Sequence, residues 1–370
     1  MIFWVYTIVL VISSFVLAAI CTWGMRELMK AMLPARTPNE RDNHKEPTPR
    51  GGGVAVMVAI IGFLTVVNLD GYVLLALIAL LAVSFADDLT NISGSMRIVV
   101  HIICALLLVS TIDHGVFITY LNMMPFSDMA IPYMPYVSVV FTASALVWFM
   151  NLYNFMDGVD EITVVQTVSL AAGISMIAFM QPDISQNIGA EALIIIAAIT
   201  GFWLFNRHPA TVFLGDCGSI PLGALLGWML LFLASRGYDI VALILPAYYI
   251  VDATLILLWR ILTRQAFWKA HSQHAYQAVV KGGRTHRAAT VPVALLNTGL
   301  IMLSYIALTQ PQYAISALIL AYASSLLLCA IFRSIPAKKE VVEEDASHAL
   351  GSIELNAKEY QDITPDNALS

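Results

Sequence analysis

The chain has 370 residues, 59% of them hydrophobic and only 12% charged, with a formal net charge of −6 and a mean hydropathy of +0.78. A soluble fold of this length has too little interior to hide that apolar surface, whereas a bilayer accepts it as helices of about 20 residues each. Runs such as 98–112 and 240–258 are apolar on every face. That excludes the alternating polarity of barrel strands and leaves an all-α polytopic membrane protein.

In chain order the apolar runs are 2–22, 52–68, 72–86, 98–112, 136–152, 162–180, 190–205, 219–234, 240–262, 290–308 and 313–332. They predict about eleven transmembrane helices, with the two termini on opposite sides. The first run has no basic segment before it and no small-residue cleavage site after it, so it reads as a retained span. Cys21, Cys104, Cys217 and Cys329 lie in or beside spans without metal-type spacing and are expected as free thiols. Residues 1–335 form one membrane domain. After Pro336 the segment 336–370 turns acidic and poor in apolar residues, and reads as a disordered tail.

Orientation follows from the basic residues of the connections. Eighteen of the nineteen Lys and Arg residues fall on one side of the predicted topology, and Arg236 is the exception. An excess of positive charge marks the cytoplasmic side, so the N-terminus is expected in the periplasm and the C-terminus in the cytoplasm.

Five polar clusters lie on that same basic side. The first runs from Lys45 through Arg50 to Gly51-Gly52-Gly53; it reads as an anion nest beside cations, or as a loop ending. The second is Asp87-Asp88 at a span end. Paired carboxylates repel unless a cation intervenes, and such a pair suits Mg²⁺; the alternative is a solvated helix terminus.

The third is Asn151-Leu-Tyr-Asn154-Phe-Met-Asp157-Gly158-Val-Asp160. Gly158 is expected to break the helix so that several side chains converge, against the plainer reading of a turn between spans. The fourth runs from Asn206-Arg207-His208 to Phe213-Leu-Gly215-Asp216-Cys-Gly218-Ser219, with a span start whose free N–H groups suit a phosphate. The fifth, His271-Ser-Gln-His274-Ala-Tyr276-Gln277, sits among six Lys and Arg residues. It is read as a phosphate contact or as orientation signal and attraction to anionic lipid. Carboxylates for a hard cation, cations for phosphate and an apolar body for a lipid together point to phosphoryl transfer at a membrane face.

The segments Phe85-Ala-Asp-Asp88, Asn154-Phe-Met-Asp-Gly-Val-Asp160 and Phe213-Leu-Gly-Asp-Cys-Gly-Ser219 resemble the polyprenyl-phosphate N-acetylhexosamine-1-phosphate transferase family, over about residues 1–330. The resemblance implies transfer of a sugar 1-phosphate from a UDP-N-acetylamino sugar to undecaprenyl phosphate, with release of UMP, at a cytoplasmic site in the bacterial inner membrane. It implies Mg²⁺, with Mn²⁺ a possible substitute, held by Asp216 and Asp88. Asp87, Asp88 and Asp216 become the catalytic set, with Asp87 the favoured base. Asn154, Asp157, Asp160, Asn206 and Phe213 match positions around the nucleotide. His271, His274, Arg50 and Lys45 would contact phosphate or sugar. A homodimer is expected by the family's habit, and nucleic acid is not expected as a partner.

Two features depart from that pattern. Glu161 stands where many relatives carry Gly, and the histidine segment is not a contiguous triple. The latter form resembles the branch that initiates O-antigen or exopolysaccharide chains, with UDP-N-acetylfucosamine, UDP-N-acetylquinovosamine or UDP-GlcNAc as donor. The competing class, a secondary transporter or lipid-linked carrier, would place ionisable groups near the bilayer midplane. Here the carboxylates gather at span ends on the basic side, with Asp252 the main exception.

Overall fold

The computed structural model describes residues 2–32, 48–90, 92–123, 133–265 and 272–337. Lys45, His271 and the tail beyond residue 337 lie outside them. Fourteen α-helices follow in order: α1 Ile2–Met32, α2 Gly52–Val66, α3 Gly71–Thr90, α4 Gly94–Val109, α5 Gly115–Asn122, α6 Met134–Phe155 and α7 Ile162–Met180, then α8 Gln186–Asn206, α9 Asp216–Ser235, α10 Asp239–Ile244, α11 Ala247–Leu262, α12 Ala275–Lys281, α13 His286–Thr309 and α14 Ala314–Arg333. Among the described residues there is no β-strand, only an isolated backbone bridge between Arg50 and Phe213.

All eleven apolar runs are helical, but they are not eleven equal spans. Among the described residues, eight helices are long and apolar enough to cross a membrane. The second and fourth runs give shorter apolar helices, Gly52–Val66 and Gly94–Val109. The ninth run is divided into α10 and α11 at Pro246, because proline donates no backbone N–H and its ring clashes with the preceding turn. Two helices had no apolar run to announce them: α5, and α12 inside the basic connection.

The helix most enclosed by protein is α9, and α7 and α8 are also largely covered, whereas α1, α13 and α14 present wide apolar faces outward. Small residues set the spacing around α9. A side chain at Gly223 would collide with Tyr153, and one at Gly227 with Phe149 and Leu146, both from α6. The tightest approach joins α2 to the start of α9. A β-carbon on Gly53 would lie 2.2 Å from the backbone nitrogen of Gly218. The segment before α2 and the one before α9 then run side by side. Phe213 N–H donates to the Pro49 carbonyl at 2.9 Å, Gly52 N–H to Phe213 at 3.0 Å and Gly53 N–H to Leu214 at 2.8 Å.

Helix directions alternate, so the C-terminal ends of α3, α6 and α8 meet the N-terminal ends of α2, α4, α7, α9 and α13 at one end of the bundle. Every described Lys and Arg except Arg236 is carried at that end, in agreement with the charge asymmetry of the sequence.

Gly53→Ala should lower stability by about 3 kcal/mol, because backbone cannot yield as a flexible side chain would. Gly62→Ala in the same helix meets nothing within 4 Å and should be neutral or mildly stabilising. Thermal unfolding of the two variants in detergent checks the contrast.

Candidate functional site

The aspartates of α3 and α9 meet between helix ends. Asp87 is held on both oxygens: Oδ1 accepts the Ile92 N–H at 2.7 Å and Oδ2 accepts Arg97 Nη1 at 2.7 Å. The same Arg97 nitrogen lies 3.6 Å from Asp216 Oδ2, so one guanidinium stands between two carboxylates. Asp216 Oδ1 accepts Asn154 Nδ2 at 2.9 Å, and that amide also donates to the buried Ser219 hydroxyl at 2.8 Å. Asp88 Oδ2 accepts the Cys217 N–H at 3.2 Å. It therefore caps the positive end of α9.

That cap corrects one expectation, since this N–H of α9 is occupied by Asp88 and is not waiting for phosphate. Close approach of Asp88 is possible because residue 215 is glycine; a β-carbon there would lie 2.9 Å from Asp88 Oδ2, and the φ of +74° suits glycine.

The segment 156–161 leaves α6 and turns into α7. Asp157 Oδ1 accepts the Thr163 hydroxyl at 2.5 Å. Burial pushes the Asp157 carboxyl up to about 7, the Thr163 hydroxyl opposes this, and the Asp216 charge adds to it. Asp160 is 2% exposed. Its Oδ2 accepts the Ala210 N–H at 3.2 Å and faces Nδ1 of His208 at 2.7 Å and of His286 at 3.2 Å. Asn206 also looks inward, accepting the Glu161 N–H at 3.0 Å and donating to the Val212 carbonyl at 3.1 Å. Asp160 and Asn206, expected around a nucleotide, thus tie together the loops that would form its pocket. Asn154, Asp157 and Phe213 remain partly accessible at the rim.

Arg50 is exposed and holds the bridge to Phe213. His274 departs from expectation: it is 2% exposed, 3.6 Å from Asp252 Oδ1 and stacked on Tyr276. Asp252, an acid deep inside a predicted span, accepts the Ala275 N–H at 2.9 Å. It lies ten residues before the end of α11, a depth of about 15 Å at 1.5 Å per residue. The basic connection therefore folds back beside α11 and carries α12 with it. Tyr276 Oη donates to the Phe155 carbonyl at 3.2 Å, and a β-carbon on Gly158 would meet Tyr276 and Gln277. The histidine segment supports the 155–158 turn from beneath.

The profile of glycosyl transferase family 4 matches residues 71–234, the stretch that holds every aspartate and asparagine just described except Asp252. Over that stretch the chain is similar to the family, and the relatives below extend the similarity beyond it. In Bacillus subtilis (strain 168) a probable undecaprenyl-phosphate N-acetylglucosaminyl 1-phosphate transferase is 24% identical over 276 residues, covering 70% of this chain and 73% of that protein. A phospho-N-acetylmuramoyl-pentapeptide-transferase of Nautilia profundicola is 24% identical over 272 residues, covering 67% and 76%. One of Staphylococcus epidermidis is 26% identical over 324 residues, covering 80% and 97%.

Several residues that organise the site carry no signal in the sequence. Arg97 had been counted only as a topology charge. His286 starts α13 and lies 126 positions from the backbone N–H that it meets. His208 lay within a recognised cluster without an assigned role. Glu161 adopts φ +70°, a left-handed conformation natural to glycine and strained for other residues. That gives a physical reason for glycine at this place in related sequences. Its carboxylate lies 3.4 Å from the His208 N–H and 3.9 Å from Arg287 Nε.

Two outcomes follow. Glu161→Gly should be more stable than Glu161→Ala by about 1 kcal/mol, since both lose the same long contacts and only Gly relieves the backbone; unfolding in detergent measures the difference. Asp157 keeps its proton in the fold to about pH 7, whereas an unfolded Asp releases it near about 4. Its contribution to stability should therefore fall as pH rises across that window and level off above it. Asp157→Asn should flatten the dependence of unfolding temperature on pH between those limits.

Proposed function

We propose that this chain transfers the 1-phosphate of an N-acetylamino sugar from its UDP donor to undecaprenyl phosphate, releasing UMP and forming an undecaprenyl-diphospho-sugar for a cell-envelope glycan. The observation that carries the reading is the convergence of Asp87, Asp88, Asp216 and Arg97 at helix ends within reach of Asn154. The relatives' names supply the substrate class. The histidine segment that resembles the O-antigen branch does not select a donor: His271 lies outside the described residues and His274 is buried. The proposal therefore covers an acceptor lipid and a UDP-N-acetylamino sugar, with the glycan pathway left to the donor.

In the reaction an oxygen of the lipid phosphate bonds to the β-phosphorus of the UDP-sugar. The bond from that phosphorus to the bridging oxygen breaks, and UMP leaves with the electron pair. A lipid phosphate is already largely ionised near neutral pH, so positioning and charge neutralisation matter more than proton removal.

Asp88 and Asp216 offer only hard carboxylate oxygens at a partly open rim, a donor set that fits Mg²⁺. When bound there, the ion would supply positive charge to the phosphate oxygens. Asp87, with both oxygens already hydrogen-bonded, orients Arg97 instead of acting as a free base. Arg97 then presents a fixed positive charge beside Asp216. Asn154 locks the Asp216 carboxylate, and Phe213 offers a ring at the rim for stacking. The basic end of the bundle faces the cytoplasm by the positive-inside rule.

Asp216→Asn should cut turnover by about 100- to 1,000-fold while the protein still inserts and unfolds at near its normal temperature. The assay follows UMP release from a panel of UDP-sugars with purified protein, Mg²⁺ and undecaprenyl phosphate. A cysteine placed at Thr211 should be labelled by an impermeant reagent in inverted vesicles and protected in spheroplasts; the opposite pattern overturns the cytoplasmic site.

A further inference from the structure

We propose that Asp160, His208 and His286 bind one divalent cation of intermediate softness, of the Zn²⁺ class, through ligands distinct from the aspartate set assigned to Mg²⁺. The three side chains come from two connections and the start of α13, and their ligand atoms all lie within 4.8 Å of one another. Two imidazole nitrogens and one carboxylate oxygen suit Zn²⁺ or Co²⁺, whereas Mg²⁺ takes oxygens.

The ligand atoms are close enough to share one ion after a small opening. Nδ1 of His208 and Nδ1 of His286 stand 2.7 and 3.2 Å from the same oxygen, Asp160 Oδ2. A tetrahedral ion at about 2.0–2.1 Å from each ligand needs them about 3.4 Å apart, so His286 would draw back by about 0.2 Å and the more exposed His208 by about 0.7 Å. That one oxygen also accepts the Ala210 N–H. His286 Nδ1 in addition lies 3.2 Å from the Asp160 N–H, a contact that an imidazole makes with this nitrogen unprotonated. An unprotonated nitrogen 3.2 Å from a carboxylate oxygen sets two lone pairs against each other, an arrangement that a cation relieves.

Access is graded in a way that suits a bound ion. The Asp160 side chain is fully enclosed and that of His286 nearly so, while His208 is one-third exposed. His208 borders a hollow of about 420 Å³ together with Arg207, Thr211 and Arg26. Water can reach an ion from that side as a fourth ligand. The ion would bind the turn before α7, the connection between α8 and α9 and the start of α13 into one unit.

The test uses the full-length protein in detergent, stripped with a chelator, freed of any histidine tag and held in excess Mg²⁺ so that oxygen sites are occupied. Co²⁺ is then added, and visible absorption, retained metal after desalting and unfolding temperature are read. The expected result is one equivalent of Co²⁺ with tetrahedral bands, displaced by Zn²⁺, and a raised unfolding temperature. His208→Ala and His286→Ala should each weaken binding at least tenfold. His208→Cys should restore it and add a sulfur-to-cobalt charge-transfer band, which a variant that merely misfolds cannot give. Absence of Co²⁺ bands in the wild-type protein, or equal retention in both alanine variants, overturns the proposal. Because turnover is not read, a wrong assignment of sugar donor leaves this result unaffected.

Discussion

The bundle is organised by a place where two backbones touch. Gly53 and Gly218 allow the starts of α2 and α9 to approach without side chains between them, and the three hydrogen bonds between residues 49–53 and 213–214 follow from that approach. Contact at this range also fixes Gly215, and with it the seat for Asp88 and the orientation of Asp216. The geometry of the candidate site is here referred back to backbone atoms, which have fewer ways to move than side chains.

The electrostatics rest on a shared cation. Asp87 and Asp216 belong to helices that arrive from separate parts of the chain, and each is drawn toward Arg97. Without a positive group between them, carboxylates converging at a half-buried helix junction would repel. Asp88 has a different solution, since the backbone N–H and dipole of α9 receive it. The site thus keeps several acids close together before any ligand arrives, and leaves Asp216 poised at the rim.

Much of this was legible beforehand. The apolar runs located every large helix because lipid-facing and protein-facing sides of such helices are both apolar, leaving a strong signal in composition alone. The same uniformity hid the finer features. Pro246 was the only mark of the break between α10 and α11, and α12 was concealed in a segment whose charges were read as a surface loop. Asp87, Asp88, Asn154 and Asp216 were found because polar groups at span ends stand out against apolar flanks. Arg97 and His286 were not, because their meaning lies in partners distant in sequence. Asp160, Asn206 and His274 were read as ligand contacts, yet their side chains are directed into the protein. A motif gives the residue type and leaves its direction open.

The order in which the chain is made has a bearing on the enclosed acid at position 160. Its aspartate emerges from the ribosome well before His286, which is 126 residues later in the chain. Until α13 has entered the membrane, Asp160 lacks one of the groups that accompany it in the finished protein, and the turn before α7 stays unfinished. The stretch from 71 to 234 that matches the family profile therefore lacks a group that its enclosed Asp160 meets in the finished chain. Assembly of the membrane domain has to wait for its penultimate large helix, so a chain stalled before that point would offer quality-control proteases a half-built, charge-bearing interior.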